Sequence, residues 1–189
     1  MNKFSLLLYA ISTMLVMEVQ AQQKATIFAT VQQGIWHDNE KLKLQPGLTG
    51  GVKWKKWSAS LSASVDFHFT RSFQAGLDLR RHFAIGKQEL FVYAVPGFNL
   101  PIPSKNEKEK NAFWKQEQQF ESGHYFEAGT GIMIGKKKNF FAALAWSQKT
   151  FSERYKVSGL DPVNMGPGLQ TRKTDFEYNR IGIKLGFVF

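Results

Sequence analysis

The chain has 189 residues, of which 43% are hydrophobic and 14% aromatic, and it carries a formal net charge of +10 without any cysteine. This length favours a single domain, and the missing cysteines exclude a disulfide framework, thiol chemistry and a lipid-anchoring cysteine. No segment after the N-terminal stretch has 18 unbroken apolar residues, so the chain would cross a membrane only as strands.

The first 21 residues have the parts of a secretory signal peptide. Lys3 is the basic region, residues 4–17 are an apolar segment too short to span a bilayer, and Val19 and Ala21 are the small residues before the cleavage site. The alternative is an N-terminal anchor helix. We therefore predict a signal peptide over residues 1–21 and one domain over residues 22–189. Export argues against nucleic acid as the partner of the basic surface.

Eight segments then alternate between apolar and polar residues with the period of a β-strand. They cover residues 24–36, 47–55, 57–69, 73–83, 89–99, 120–134, 139–150 and 176–189. Most of them are long enough to cross about 25 Å of hydrocarbon as tilted strands. The fifth segment is apolar on both faces and contains Pro96, which cannot donate to a sheet hydrogen bond, so we expect a bulge or kink there.

The connections between these segments differ at the two ends. The predicted inner turns, 55–56, 84–88 and 135–138, are short, whereas three of the four outer connections, 37–46, 70–72, 100–119 and 151–175, are long. This arrangement predicts an all-β fold, an eight-stranded antiparallel up-and-down transmembrane barrel with a filled interior. Aromatic residues near the predicted strand ends indicate two girdles, with Trp54, Trp57 and Phe83 inside and Trp36, Phe69, Phe98, Phe120 and Phe151 outside.

The last segment has one apolar face and ends in an aromatic residue. Its predicted membrane-facing side chains are Ile181, Ile183, Leu185, Phe187 and Phe189. This end resembles the C-terminal assembly signal of Gram-negative outer-membrane barrels, although the glycine often found five residues before the end is replaced by Lys184. With the signal peptide and strand pattern, it resembles the small outer-membrane barrel family that includes OmpX-like and PorT-like proteins. The resemblance implies a bacterial outer-membrane location and recognition by the barrel-assembly machinery.

The polar faces carry charges that a narrow barrel would bring together. These residues are Lys53, Asp66, Asp78, Arg80, Glu127, Arg180 and Lys184. Because charges withdrawn from water must pair, we predict a structural network of ion pairs in the lumen and no open channel. The glycines near Gly135 lack phosphate-loop spacing, and no cluster of histidines and carboxylates has metal-ligand spacing, so we predict no cofactor.

The pattern predicts a structural, binding or envelope- and secretion-associated module that acts through loops 100–119 and 151–175. Expected partners are outer-membrane lipid, lipopolysaccharide and an extracellular or envelope protein. One alternative is a soluble lipocalin-like carrier, because Gly34-Ile35-Trp36 resembles the Gly-x-Trp of lipocalins, whose barrels have apolar interiors. Another is a lipid A-modifying hydrolase built from Asp66, His68, Thr70 and Ser72, with His37 and Asp38 nearby. The His-x-Ser-Asn run of lipid A deacylases is missing, so we expect no enzyme activity.

Overall fold

The computed structural model describes residues 25–38, 41–67, 70–103, 116–135, 137–160 and 167–189. The strands are β1 (Thr26–Asp38), β2 (Lys41–Trp54), β3 (Trp57–Asp66), β4 (Ser72–Ile85), β5 (Gln88–Pro101), β6 (Gln116–Glu121), β7 (Gly123–Ile134), β8 (Phe140–Leu160) and β9 (Pro167–Val188). The predicted signal peptide, residues 1–21, lies outside the described residues. Within these ranges, no helix has the length and apolar character needed to span a membrane.

The strands form one closed antiparallel barrel. Strands β1 to β5 pair in sequence, β5 pairs with β7, β7 with β8, and β8 with β9. The barrel closes where β9 returns to β1, through pairs such as Ile183 with Ile35. Only Ser122 separates β6 from β7, and both pair with β8, so they occupy one position in the barrel. The predicted eight-stranded up-and-down barrel is therefore confirmed.

The pleat of each strand separates the lumen from the outer surface, because successive side chains point to opposite faces. On β3, Ser58, Ser60, Ser62 and Ser64 are buried, whereas the intervening Leu61 is 74% exposed. The other strands follow the same rule, with exposed apolar side chains at Val31, Leu48, Leu77, Val92, Phe126, Leu144 and Ile183. The lumen is not polar throughout, since Phe91, Met133 and Phe141 are buried together at its inner end.

The strands continue further at the outer end than the sequence pattern predicted. β1 and β2 stay paired as far as Asp38 and Lys41, so the predicted loop 37–46 is wrong. β8 and β9 pair from Phe140 to Leu160, and most of the predicted loop 151–175 is also strand. The alternation weakens there because both faces carry polar residues, while the backbone ladder remains intact. The predicted loop 100–119 is wrong at both ends, since Leu100 and Pro101 belong to β5 and residues 116–119 to β6, while residues 104–115 lie outside the described residues.

The pairing of β4 with β5 lapses beside Pro96. The pairs on the two sides of this gap, Gly76–Gly97 and Leu79–Ala94, have the same register, so no residue is inserted. The interruption at proline was expected, but it takes the form of a gap in the ladder and not of a bulge.

Short turns connect the strands at the inner end. The predicted turn at Lys55–Lys56 is confirmed, and the next consists of Gly86 and Lys87. The first residue of each has a left-handed backbone, with φ of 52° at Lys55 and 59° at Gly86, and Lys138 in the third turn has φ of 53°. Glycine adopts this conformation freely, whereas a residue with a Cβ loses about 1 kcal/mol.

The predicted aromatic girdles are partly wrong. Trp57, Phe83 and Phe98 are exposed on the outer surface, whereas Trp36 and Phe151 are buried on the inward face. Trp36 points inward because it shares strand parity with the buried Thr30 and Gln32. Trp54 and Phe120 are half-buried, and Phe69 lies outside the described residues.

Candidate functional site in the barrel lumen

One carboxylate contacts two cations and an amide in the outer half of the lumen. Asp66 Oδ2 lies 2.9 Å from Lys149 Nζ, 2.8 Å from Arg180 Nη1 and 3.1 Å from Gln74 Nε2. The side chains of Asp66, Lys149 and Arg180 are 0% exposed. They come from β3, β8 and β9, so this cluster connects distant strands across the lumen. Such a carboxylate is costly to remove because its partners are also withdrawn from water.

A chain of hydrogen bonds extends this cluster to the first two strands. Gln74 Oε1 accepts from Gln45 Nε2 at 2.5 Å, and Gln45 Oε1 accepts from the indole N–H of Trp36. The Arg180 guanidinium lies 4.9 Å from the Trp36 ring, so the last residue of this chain of contacts also touches a residue that binds Asp66. We call Trp36, Gln45, Asp66, Gln74, Lys149 and Arg180 the outer network.

A second ion pair lies deeper in the lumen. Lys184 Nζ lies 2.6 Å from Glu127 Oε1, which also accepts a hydrogen bond of 2.7 Å from the Tyr93 hydroxyl. The Tyr125 hydroxyl donates to the other oxygen of Glu127. All four side chains are buried, and they come from β5, β7 and β9. The two hydroxyls and the ammonium group satisfy a carboxylate that would otherwise be unfavourable away from water.

The third ion pair is local and enclosed by aromatic rings. Arg80 Nε lies 2.9 Å from Asp78 Oδ1, and both residues belong to β4. The Arg80 guanidinium lies 5.3 Å from the ring of Phe91, 5.6 Å from that of Tyr93 and 5.2 Å from that of Phe141. These rings add cation–π attraction to the ion pair and fill the inner lumen. We call Asp78, Arg80, Phe91, Tyr93 and Phe141 the inner clamp.

A partly exposed cluster lies at the inner mouth. The Glu89 carboxylate contacts Lys53 at 2.6 Å, Lys138 at 2.8 Å and His82 Nδ1 at 2.9 Å. The side chain of Lys53 is 36% exposed, so this predicted lumen residue lies at the mouth and not in the buried interior.

The structure divides the predicted charge network into separate clusters. Asp66 with Arg180, Glu127 with Lys184 and Asp78 with Arg80 form three buried pairs, while Lys53 pairs at the mouth. Sequence analysis missed Lys149, although it shares the inward parity of Ser147 on β8. Uncharged side chains that face inward by parity connect the clusters, and their lack of charge is why they were not predicted. They are Gln45, Gln74, Tyr93 and Tyr125.

The terminal strand presents its predicted apolar face outward. Ile181, Ile183, Leu185 and Phe189 are exposed, and Phe187 is half-buried because it packs against Phe140 and Phe189 at ring distances of 5.6 Å and 4.8 Å. The alternate Lys184 and Arg180 point into the lumen.

Strands β6, β8 and β9 project together beyond the outer network. We call this outer extension residues 116–121, 151–160 and 167–177. It carries both charge signs, with Arg154 Nε 2.6 Å from Glu121 and Lys173 Nζ 3.4 Å from Asp175. The Ser152 hydroxyl donates to Asp175 at 2.5 Å, and this hydrogen bond lowers the pKa of that carboxyl. A pocket of about 410 Å³ lies at its base, lined by Ser122, His124, Thr150, Ser152, Asp175 and Glu177.

Three of the candidate hydrolase residues are buried in the part of the chain that the structure describes, namely Asp66, Thr70 and Ser72. Asp66 Oδ2 binds Lys149 and Arg180, Ser72 is buried at 1% exposure, and His68 lies outside the described residues. Among the described side chains, no group of three or more histidines and carboxylates could hold a metal ion.

Comparisons with known proteins identify solved structures with a similar fold. No protein-family model and no curated protein matches the chain. The chain is similar in fold to outer membrane protein OprG from Pseudomonas aeruginosa. That match has a TM-score of 0.54 and 14% identity, and it covers 88% of this chain and 97% of OprG. The N-terminal barrel of OprF from Pseudomonas aeruginosa matches with a TM-score of 0.48, 16% identity and coverage of 88% and 98%. Neisserial surface protein A matches with a TM-score of 0.43, 8% identity and coverage of 87% and 99%.

Proposed function

We propose that the chain is an integral outer-membrane barrel that acts as a surface-binding module through its outer extension. The observation that carries this proposal is the inverted arrangement of polarity. Buried charges fill the lumen, while apolar side chains cover the outer surface of the strands around the barrel. A continuous exposed apolar surface is unfavourable in water and favourable in hydrocarbon. In hydrocarbon, strands must form a closed barrel because every backbone N–H and C=O group needs a hydrogen-bond partner.

Several features support a lipid-facing outer surface. An apolar groove of about 640 Å³ runs along it, lined by side chains such as Val31, Leu48 and Leu185. Trp57 and Phe83 are exposed near the inner strand ends, where aromatic rings favour a membrane interface. A soluble lipocalin-like carrier needs the opposite arrangement, with an apolar interior and a polar outer surface.

The filled lumen argues against a pore. Between the outer and inner ends, the lumen holds the outer network, the Glu127–Lys184 pair, the inner clamp and the mouth cluster. An eight-stranded barrel has just enough interior space for side chains, so these clusters leave no open water channel. The ion pairs are therefore proposed to have a structural role.

The outer extension is the proposed binding surface. It joins a rigid barrel through continuous strands, and loops or edges on such a scaffold are where binding residues concentrate. Its outward face offers Arg154, Lys173, Asp175 and Glu177, so a polar or charged partner fits it best. We also propose that the chain lies in the bacterial outer membrane, is related to OmpX-like and PorT-like proteins, and has no enzymatic activity.

Heat-modifiable gel mobility of the membrane fraction tests the membrane barrel. A folded transmembrane barrel should remain in the membrane fraction and migrate differently before and after boiling. A planar-bilayer recording of the purified protein tests the filled lumen, and we expect no stable conductance steps. Recovery in the soluble fraction would contradict the location, whereas steady conductance would contradict the filled lumen.

Binding is tested separately with whole cells. A variant that shortens the extension by removing residues 154–173 should keep its heat-modifiable mobility and lose adhesion to a surface or matrix that the wild-type protein binds. Unchanged adhesion by a correctly inserted shortened variant would show that the extension is not the binding surface.

A further inference from the structure

We propose that the inner rim of the barrel binds the phosphate groups of anionic phospholipids in the leaflet that the short turns face. This inference rests on the proposed membrane location and adds a lipid class and a set of residues. We define the inner rim as the exposed basic side chains at this end, which are Lys55, Lys56, Arg81, Lys87, Lys137 and Lys138.

The inner rim has one charge sign. Among the described side chains at this end, the acidic residue is Glu89, and its carboxylate already binds Lys53, Lys138 and His82. It therefore does not neutralise Lys55, Lys56, Lys87 or Lys137, which are exposed. Several like charges close together repel one another, and a surrounding layer of anionic groups relieves this repulsion.

Two lysines of the rim occupy backbone conformations that disfavour them. Lys55, the first residue of the β2–β3 turn, has φ of 52°, whereas the first residue of the β4–β5 turn is Gly86 with φ of 59°. Lys138, which also binds Glu89, lies in the β7–β8 connection with φ of 53°. Glycine would satisfy both positions without strain. Residues kept in strained conformations concentrate at functional sites, which points to the lysine charge as the feature retained.

Arg81 places a charge at the edge of the apolar surface. Its guanidinium lies 5.2 Å from the ring of Trp57 and 5.3 Å from that of Phe83, and both rings are exposed on the outside of the barrel. Tryptophan favours the headgroup level of a bilayer, and a planar guanidinium matches phosphate geometry. Arg81 is thus held where a lipid phosphate lies.

The distribution of the rim favours lipid over an acidic protein. Its five lysines lie in the β2–β3, β4–β5 and β7–β8 turns around the circumference of the barrel, and Arg81 lies on β4 near its inner end. A single docked protein would contact one side, whereas lipids surround the barrel and reach all three turns.

The test measures lipid selectivity of the inserted protein. The full chain is refolded into phosphatidylcholine vesicles with and without phosphatidylglycerol, and spin-labelled versions of both lipids report their relative association at the protein surface. The wild-type protein should prefer phosphatidylglycerol, and 0.5 M salt should weaken that preference by screening. The preference should fall about fivefold for each strongly contributing charge that is removed, since one basic side chain near an anionic surface contributes about 1 kcal/mol.

The decisive variant combines Lys55→Gln, Arg81→Gln and Lys87→Gln, and the matched control removes three charges from the outer extension through Arg154→Gln, Arg172→Gln and Lys173→Gln. The inner variant should lose the preference and the outer control should keep it. Equal association of both lipids with an inserted, heat-modifiable wild-type barrel would overturn the inference and leave the proposed function intact. Failure to insert into either type of vesicle would instead contradict the proposed function.

Discussion

The outer and inner halves of the lumen both bury charge, but they stabilise it differently. In the outer network, Asp66 binds Lys149 and Arg180, which belong to strands far away in sequence. In the inner clamp, Arg80 binds Asp78 two residues away on the same strand and is enclosed by three aromatic rings. The outer carboxylate connects strands, whereas the inner pair mainly fills space. Loss of one charge should therefore cost more in the outer half.

The largest expected effect is that of Asp66→Asn. The substitution removes a carboxylate that two buried cations contact, and breaking such a cluster costs about 3–5 kcal/mol. Denaturant titration of the protein refolded into lipid vesicles measures the free energy of unfolding. Asp175→Asn is the control, because this carboxyl on the outer extension is exposed and its contacts with Ser152 and Lys173 are open to water, so its loss should cost much less than that of Asp66. A negligible loss for Asp66→Asn would contradict the connecting role of the outer network.

Leu185→Arg tests whether the outer surface of the barrel faces hydrocarbon, and its cost can be compared with those of the lumen substitutions. Arginine at a lipid-facing position costs about 2–4 kcal/mol near the middle of the membrane. The same titration measures it, with Leu185→Met as the control that keeps an apolar side chain. A loss near zero would show that this side chain does not face hydrocarbon and would weaken the contrast between surface and lumen.

Asp78→Asn tests the inner clamp directly. The guanidinium of Arg80 would lose its carboxylate but keep three aromatic rings, and such a buried cation–π contact is worth about 2 kcal/mol. We therefore expect a loss of about 1–3 kcal/mol, smaller than that of Asp66→Asn. Adding Phe141→Leu should enlarge the loss beyond the sum of the two single changes. Equal losses for Asp66→Asn and Asp78→Asn would remove the distinction between the two halves.

The smallest expected effect has the opposite sign. Lys55→Asn places a residue that tolerates positive φ at the first position of the β2–β3 turn, and we expect a gain of about 0.5–1 kcal/mol. Lys56→Asn is the matched control, since Lys56 is not among the residues with positive φ. An equal gain at both positions would mean that charge repulsion, and not backbone strain, is responsible.

The barrel could be predicted because the alternation of inward-facing and outward-facing side chains is repeated in every strand. Alternation at Ser58 to Ser64 and at Arg180 to Leu185 determines which face each side chain takes, and that parity holds in the structure. The outer ends were predicted poorly because the alternation fades where both faces meet water, as at Arg154 to Lys156. Backbone pairing needs no such pattern, so β8 and β9 extend unnoticed.

Contacts within the lumen were harder to predict than the faces. Parity places Trp36 inside, but only the stagger between β1, β2 and β9 brings its indole to Gln45 and its ring to Arg180. Partner choice among Asp66, Asp78 and Glu127 depends on that stagger, which the periodicity of single strands does not contain. Lys149 was missed for a simpler reason, since it lies at the end of a segment considered for its apolar face.

The seam between β1 and β9 has a consequence for biosynthesis. Thr30 pairs with Val188 and His37 with Ile181, so the ladder that closes the cylinder joins the two strands furthest apart along the chain. Loop-closure entropy makes such contacts late and slow to form. Until β9 arrives, β1 presents an open hydrogen-bonding edge to any other extended chain. The incomplete chain therefore exposes an aggregation-prone edge, and a chain truncated before β9 would leave that edge permanently unpaired.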